Sequence, residues 1–78
     1  MPYTGFYSRG IKVILEKGAL NVLGYILIPM GRDSCMIVNG EEQVDFIRNN
    51  SRNIVKFVAA FRDGRRMPFL KEHELDPF

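Results

Sequence analysis

Three arginines flank an Asp-Gly pair in the stretch Phe61-Arg62-Asp63-Gly64-Arg65-Arg66-Met67-Pro68-Phe69. Asp-Gly between apolar runs is a strong hairpin signal. A hairpin there would gather Arg62, Arg65 and Arg66 at a solvent-facing tip. The guanidinium group is a planar, permanently charged fork that suits carboxylate or phosphate. The chemistry on offer is anion binding rather than bond breaking. Arg52 and Lys56 extend the basic character upstream. Seven basic residues and one aspartate lie between Phe46 and Lys71, a net charge of +6 where the whole chain carries +2. A local excess of that kind attracts phosphate backbones. Solvated charge also protects a hairpin edge from association, and pairing with Glu41, Glu42 and Asp45 is a further use for it.

The other reactive side chains do not assemble into a catalytic set. A nucleophilic cysteine needs a base and an orienting group. Cys35 and His73 are the only cysteine and histidine, and His73 lies in the C-terminal tail. Cys35 reads instead as a small buried apolar residue on a strand. Structural zinc sites take four ligands, and a single Cys with a single His leaves that site unmade. Glu41, Glu42 and Asp45 fit the positive end of a helix dipole without a metal. No glycine pattern of the phosphate-cradling kind is present. The expectation is therefore a protein without catalytic residues, cofactor or metal.

The tail 70–78 is acidic after Lys71 and ends on the apolar residues Leu75 and Phe78. These two would anchor the tail in a partner's groove. Glu74-Leu75-Asp76-Pro77-Phe78 resembles the short C-terminal peptides by which proteins bind bacterial-type sliding clamps, Gln-Leu-(Ser/Asp)-Leu-Phe. Leu75, Asp76 and Phe78 match that pattern. Glu74 replaces its Gln and Pro77 its second Leu, and the resemblance covers five residues of 78.

The elements that must position these residues read as follows. Residues 1–10 hold Pro2, Gly5 and Gly10 and form an irregular lead-in. Residues 11–16 are β-branched and alternate in part, as a strand does. Lys17-Gly18 is a turn. Residues 19–28 form one strand that is apolar on both faces, with Gly24 marking a bulge or a close approach and Pro29 as its end. Gly31-Arg32-Asp33 turns into a short strand, 34–38. Asn39 then caps a helix, with Glu42 three residues on as in a capping box. The helix ends near Asn50, because Asn49, Asn50, Ser51 and Asn53 favour caps and turns. Strands follow at 54–61 and 65–69. The alternative is a single helix over 41–62, which the spacing of Val44, Ile47, Ser51, Ile54, Val58 and Phe61 permits. The expected fold class is α+β, a small single domain (1–78) with an antiparallel sheet of order βββαββ and one helix packed on it.

At 78 residues the chain is one domain with a modest core, since a domain this small buries only roughly 60 % of its unfolded surface. Hydrophobic residues make up 46 % and charged residues 26 %, which fits a globular protein rather than a disordered one. The longest apolar run, residues 18–30, is 13 residues, short of the roughly 20 that span a bilayer. No secretory leader is visible, and with one cysteine a cytoplasmic location is expected. These readings favour a small regulatory or inhibitory protein that binds a larger protein through the arginine hairpin and apolar anchors. One alternative is a nucleic-acid-associated module that contacts phosphates through Arg62, Arg65, Arg66 and the basic segment 46–71. Another is a homo-oligomer that associates through strand 19–28.

Overall fold

The structure is a computed structural model, and it describes residues 3–38, 40 and 42–74. Eight antiparallel strands follow one another around a closed barrel. They are β1 (Gly5–Tyr7), β2 (Ile11–Glu16), β3 (Ala19–Val22), β4 (Tyr25–Gly31), β5 (Ser34–Ile37), β6 (Gln43–Arg48), β7 (Ile54–Ala60) and β8 (Arg66–His73). Each strand pairs with its neighbour in sequence, and β1 pairs with β8 to close the ring. The α+β expectation is overturned, because the described residues contain no α-helix and only one 3-10 turn, Ser8–Gly10.

The expected helix 41–50 is replaced by β6. Here Val44 and Phe46 are buried while Gln43 and Ile47 are exposed, a period of two. Asp45 faces outward too and accepts hydrogen bonds from Ser34 Oγ (2.8 Å) and Gln43 Nε2 (3.2 Å). Glu42 and Asp45 therefore lie at and along a strand, not at a helix start. The single helix over 41–62 is overturned as well. Asn49 Oδ1 accepts the backbone N–H groups of Ser51 and Asn53 (2.9 and 3.0 Å), which fixes a turn between β6 and β7.

The doubly apolar stretch 19–28 is two strands rather than one. Leu23 (φ 53°) and Gly24 (φ 82°) both adopt positive φ, as a two-residue type I′ hairpin turn requires. Gly24 is thus a turn residue, not a bulge. Lys17 and Gly18 (φ 53° and 81°) make the same turn between β2 and β3. Pro29 does not end a strand. It lies inside β4, next to the register shift between Pro29 and Gly31, and a ladder tolerates proline at such an irregularity. The lead-in contains β1, and the first part of the tail, through His73, belongs to β8.

The barrel interior is filled by residues from every strand, among them Tyr7, Val13, Leu20, Leu27, Cys35, Val44, Phe46 and Phe57. Aromatic rings form its centre. Tyr7 lies edge-on to Phe57 at 4.8 Å, and Phe57 stacks on Phe69 at 4.8 Å. Tyr7 is fully buried, and its hydroxyl donates to the Tyr3 carbonyl (2.8 Å), so its polar end is satisfied. Burial raises the Tyr7 hydroxyl pKa well above its usual range, with the Glu74 charge adding to the shift.

β1 passes very close to β8. A side chain at Gly5 would meet the His73 carbonyl oxygen at 2.9 Å, and Gly5 has φ 152°. Only glycine fits both the backbone conformation and the space.

Candidate functional site

In an up-and-down barrel the turns alternate between the two ends. The upper end carries Ser8–Gly10, the Leu23-Gly24 turn, the β5–β6 connection and the arginine hairpin. The lower end carries the turns at Lys17-Gly18, at Arg32-Asp33 and at residues 49–53.

The lower end is closed by a polar network. Asp33 is its centre, held with φ 61°. The Tyr3 hydroxyl donates to Asp33 Oδ1 (2.6 Å). Arg48 donates from Nε to Oδ2 (2.8 Å) and from Nη2 to Oδ1 (3.0 Å). Arg48 Nη1 also donates to the Arg52 carbonyl (2.8 Å). The Tyr3 ring packs on Phe46 at 4.6 Å and so covers the bottom of the core. The Arg48 guanidinium, and then the Tyr3 hydroxyl, lower the Asp33 pKa. Tyr3 is raised, chiefly because it donates to that carboxylate. Beside this network lies a cavity of about 190 Å³ lined in part by Leu20, Leu27 and Cys35.

The upper end is open. A cavity of about 610 Å³ runs from the mouth into the barrel. Its deep wall is made by the buried residues Val22, Val44, Phe57 and Ala59. Leu23, Tyr25 and Phe61 stand around the mouth. Glu42 is the one charged side chain among the described residues that line it. Small-molecule sites commonly occupy about 300–1,000 Å³ and are mainly apolar with a few placed polar groups. Eight strands give an interior that side chains can fill or that can hold one small ligand. Here the lower end keeps only the smaller cavity beside the Asp33 network, and the upper half holds the larger, open one.

The arginine hairpin forms as expected at Asp63-Gly64 and stands at this upper mouth. The Phe61 N–H donates to the Arg65 carbonyl (2.8 Å), and the Gly64 N–H donates to the Phe61 carbonyl (3.0 Å). Asp63 receives the Arg65 backbone N–H at Oδ1 (3.0 Å) and Arg65 Nε at Oδ2 (2.7 Å). These contacts lower the Asp63 pKa, the backbone hydrogen bond most of all. Arg66 Nη2 lies 4.0 Å from Asp45 Oδ2 on the outer wall.

The five basic residues singled out from sequence are not one patch. Arg62, Arg65 and Arg66 share the upper end. Arg52 sits in the β6–β7 turn at the lower end. Lys56 lies on the wall in β7, registered with Ile47 and Leu70. The tail anchors Leu75 and Phe78 lie outside the described residues.

Cys35 and His73 lie three strands apart around the barrel. Cys35 is buried in β5, and burial is the main cause that raises its thiol pKa. The His73 ring packs tilted against Phe6 at 4.7 Å, and its Nδ1 is 3.2 Å from the Glu74 carbonyl. Among the described residues no group of His, Cys, Asp and Glu side chains could hold a metal ion. No described helix is long and apolar enough to cross a membrane.

The cavity was missed by sequence reasoning. Its lining comes from inward positions on most of the strands, which only a closed barrel brings together. The alternation in Gln43-Val44-Asp45-Phe46 was the available signal for β6 and hence for closure. No family model matches the sequence, and no curated protein or solved structure matches the chain.

Proposed function

We propose that this protein is a binding module whose site is the upper cavity. The reading rests on one observation, an apolar, open-mouthed volume of about 610 Å³ inside a barrel whose other end is closed. An apolar group entering it would leave water for contact with Val22, Val44 and Phe57. Burial of that kind is worth roughly 25 cal/mol per Å² of apolar surface removed from water. The site as assembled binds and orients, and the reading assigns it no reaction.

The test is a titration of the full chain with a small uncharged apolar probe such as decanol, followed by amide NMR shifts. Binding should move the signals of Val22, Val44 and Phe57 and leave those of Leu20 and Cys35 at the lower end in place. Ala59→Phe should block the volume and abolish the shifts. Absence of saturable shifts in the parent protein would overturn the reading.

A second reading has its own observation. Ile26, Ile28 and Met30 project outward from β4 and are 44 to 60 % exposed. Met36 lies beside Ile28 in the ladder. A contiguous apolar wall of this kind suits association with another protein surface, a second copy included. Light scattering separates the cases. A 9.0 kDa species at all concentrations removes self-association. A dimer that Ile28→Lys dissociates supports it.

A further inference from the structure

The charge pattern of the cavity suggests which ligand it takes. Glu42 is its only charged lining residue among those described. The ion pairs of the described residues engage Asp33, Asp45, Asp63 and Glu74, and none engages the Glu42 carboxylate. A lone carboxylate beside apolar walls is stabilised by a cation brought to it, and the attraction strengthens as water is excluded. The Glu42 carboxylate also folds back over Gly40, close to where a side chain there would begin.

Two of the guanidinium groups at this end are committed elsewhere. Arg65 lies over the Phe61 ring (5.5 Å) and is bound to Asp63. Arg9 lies over the Phe69 ring (5.8 Å), and its Nη1 reaches Met67 Sδ at 3.5 Å. Neither is paired with Glu42. Tyr25 at the mouth adds a ring face that attracts a cation.

We propose that the cavity accepts a small molecule with an apolar body and a cationic amine head, and that the head pairs with the Glu42 carboxylate. This rests on the cavity reading above. The apolar body lies against Val44 and Phe57, and the amine stays at the mouth beside Glu42. An anionic head would meet repulsion at the same place, and an uncharged head would gain no ion pair.

Three probes of equal chain length test this on the full chain at neutral pH by calorimetry: decylammonium, decanol and decanoate. Decylammonium should bind at least tenfold more tightly than decanol, and decanoate more weakly than either. Glu42→Gln keeps the size of the side chain and removes its charge. It should bring decylammonium affinity down to that of decanol and leave decanol affinity unchanged. Equal binding of decanol and decylammonium overturns the amine assignment while the cavity reading stands. Preferential binding of decanoate overturns it in favour of an arginine-held anionic head. Failure of all three probes to bind overturns both readings. An amine preference that survives Glu42→Gln removes Glu42 as its cause.

Discussion

Arg48 grips Asp33 with two parallel hydrogen bonds, 2.8 Å from Nε to Oδ2 and 3.0 Å from Nη2 to Oδ1. The pair links the β4–β5 turn to the end of β6 and, through Tyr3, to the segment before β1. Fork-to-fork geometry fixes orientation as well as distance. It is the tie that closes the lower end of the barrel.

The Asp33 carboxyl has a lower pKa folded than unfolded, with Arg48 as the main cause. The folded state therefore binds fewer protons there than the unfolded state does. The resulting stability is present above the unfolded value of about 3.9 and is lost as pH falls through the folded value. Asp33→Asn should lower the urea midpoint at pH 7 and make its fall below about pH 4 shallower. Asparagine tolerates positive φ, so the backbone itself is spared. Parallel acid profiles for the two proteins would refute the assignment.

Leu23 adopts φ 53° in the tight turn between β3 and β4. A left-handed conformation costs an ordinary side chain about 1–2 kcal/mol, and an Asn-Gly pair is the preferred sequence there. Leu23→Asn should stabilise the protein by about 1 kcal/mol. In a domain of this size that raises the melting temperature by roughly 4–8 °C. A lower melting temperature would show that Leu23 contributes more to packing at the mouth than its conformation costs.

Gly5→Ala should destabilise by about 2 kcal/mol or more, because the new methyl group meets backbone and φ is unfavourable. The clash is with the His73 carbonyl at 2.9 Å, which a side-chain rotation cannot relieve. Thermal unfolding measures it directly. A change within the experimental error would mean that β1 shifts freely against β8.

Cys35 is 5 % exposed, and burial raises its thiol pKa. The thiolate is the reactive form. The folded protein should react with a water-soluble thiol reagent at neutral pH orders of magnitude more slowly than the urea-unfolded chain. Equal rates would place Cys35 in open contact with solvent.

Much of the strand layout was legible in the sequence, and the closure was not. β2 showed its alternation, and Asp63-Gly64 marked the β7–β8 hairpin because aspartate and glycine accept the turn at low cost. β6 was hidden by Asn39, Glu41 and Glu42, which imitate a helix start. The local acidic pattern outweighed the alternation of Val44 and Phe46, since capping chemistry is read over four residues and barrel closure over the whole chain. The turn between β3 and β4 was hidden by Leu23, whose apolar side chain concealed a backbone conformation usually supplied by asparagine. For the candidate site, sequence located the arginine hairpin but not the cavity beneath it. Charge is visible residue by residue. A cavity is a property of the strands taken together.

The join between β1 and β8 has a kinetic meaning. Among the described residues it rests on two registered pairs, Phe6 with His73 and Tyr7 with Lys71, with an irregularity between them. Among the described residues every other join has more registered pairs. While it holds, every strand is paired on both sides and no chain can add to the sheet. Once it parts, two unpaired rows of backbone groups appear together and can template intermolecular pairing. The frequency of that brief parting, more than global stability, should therefore set how fast this protein aggregates on standing.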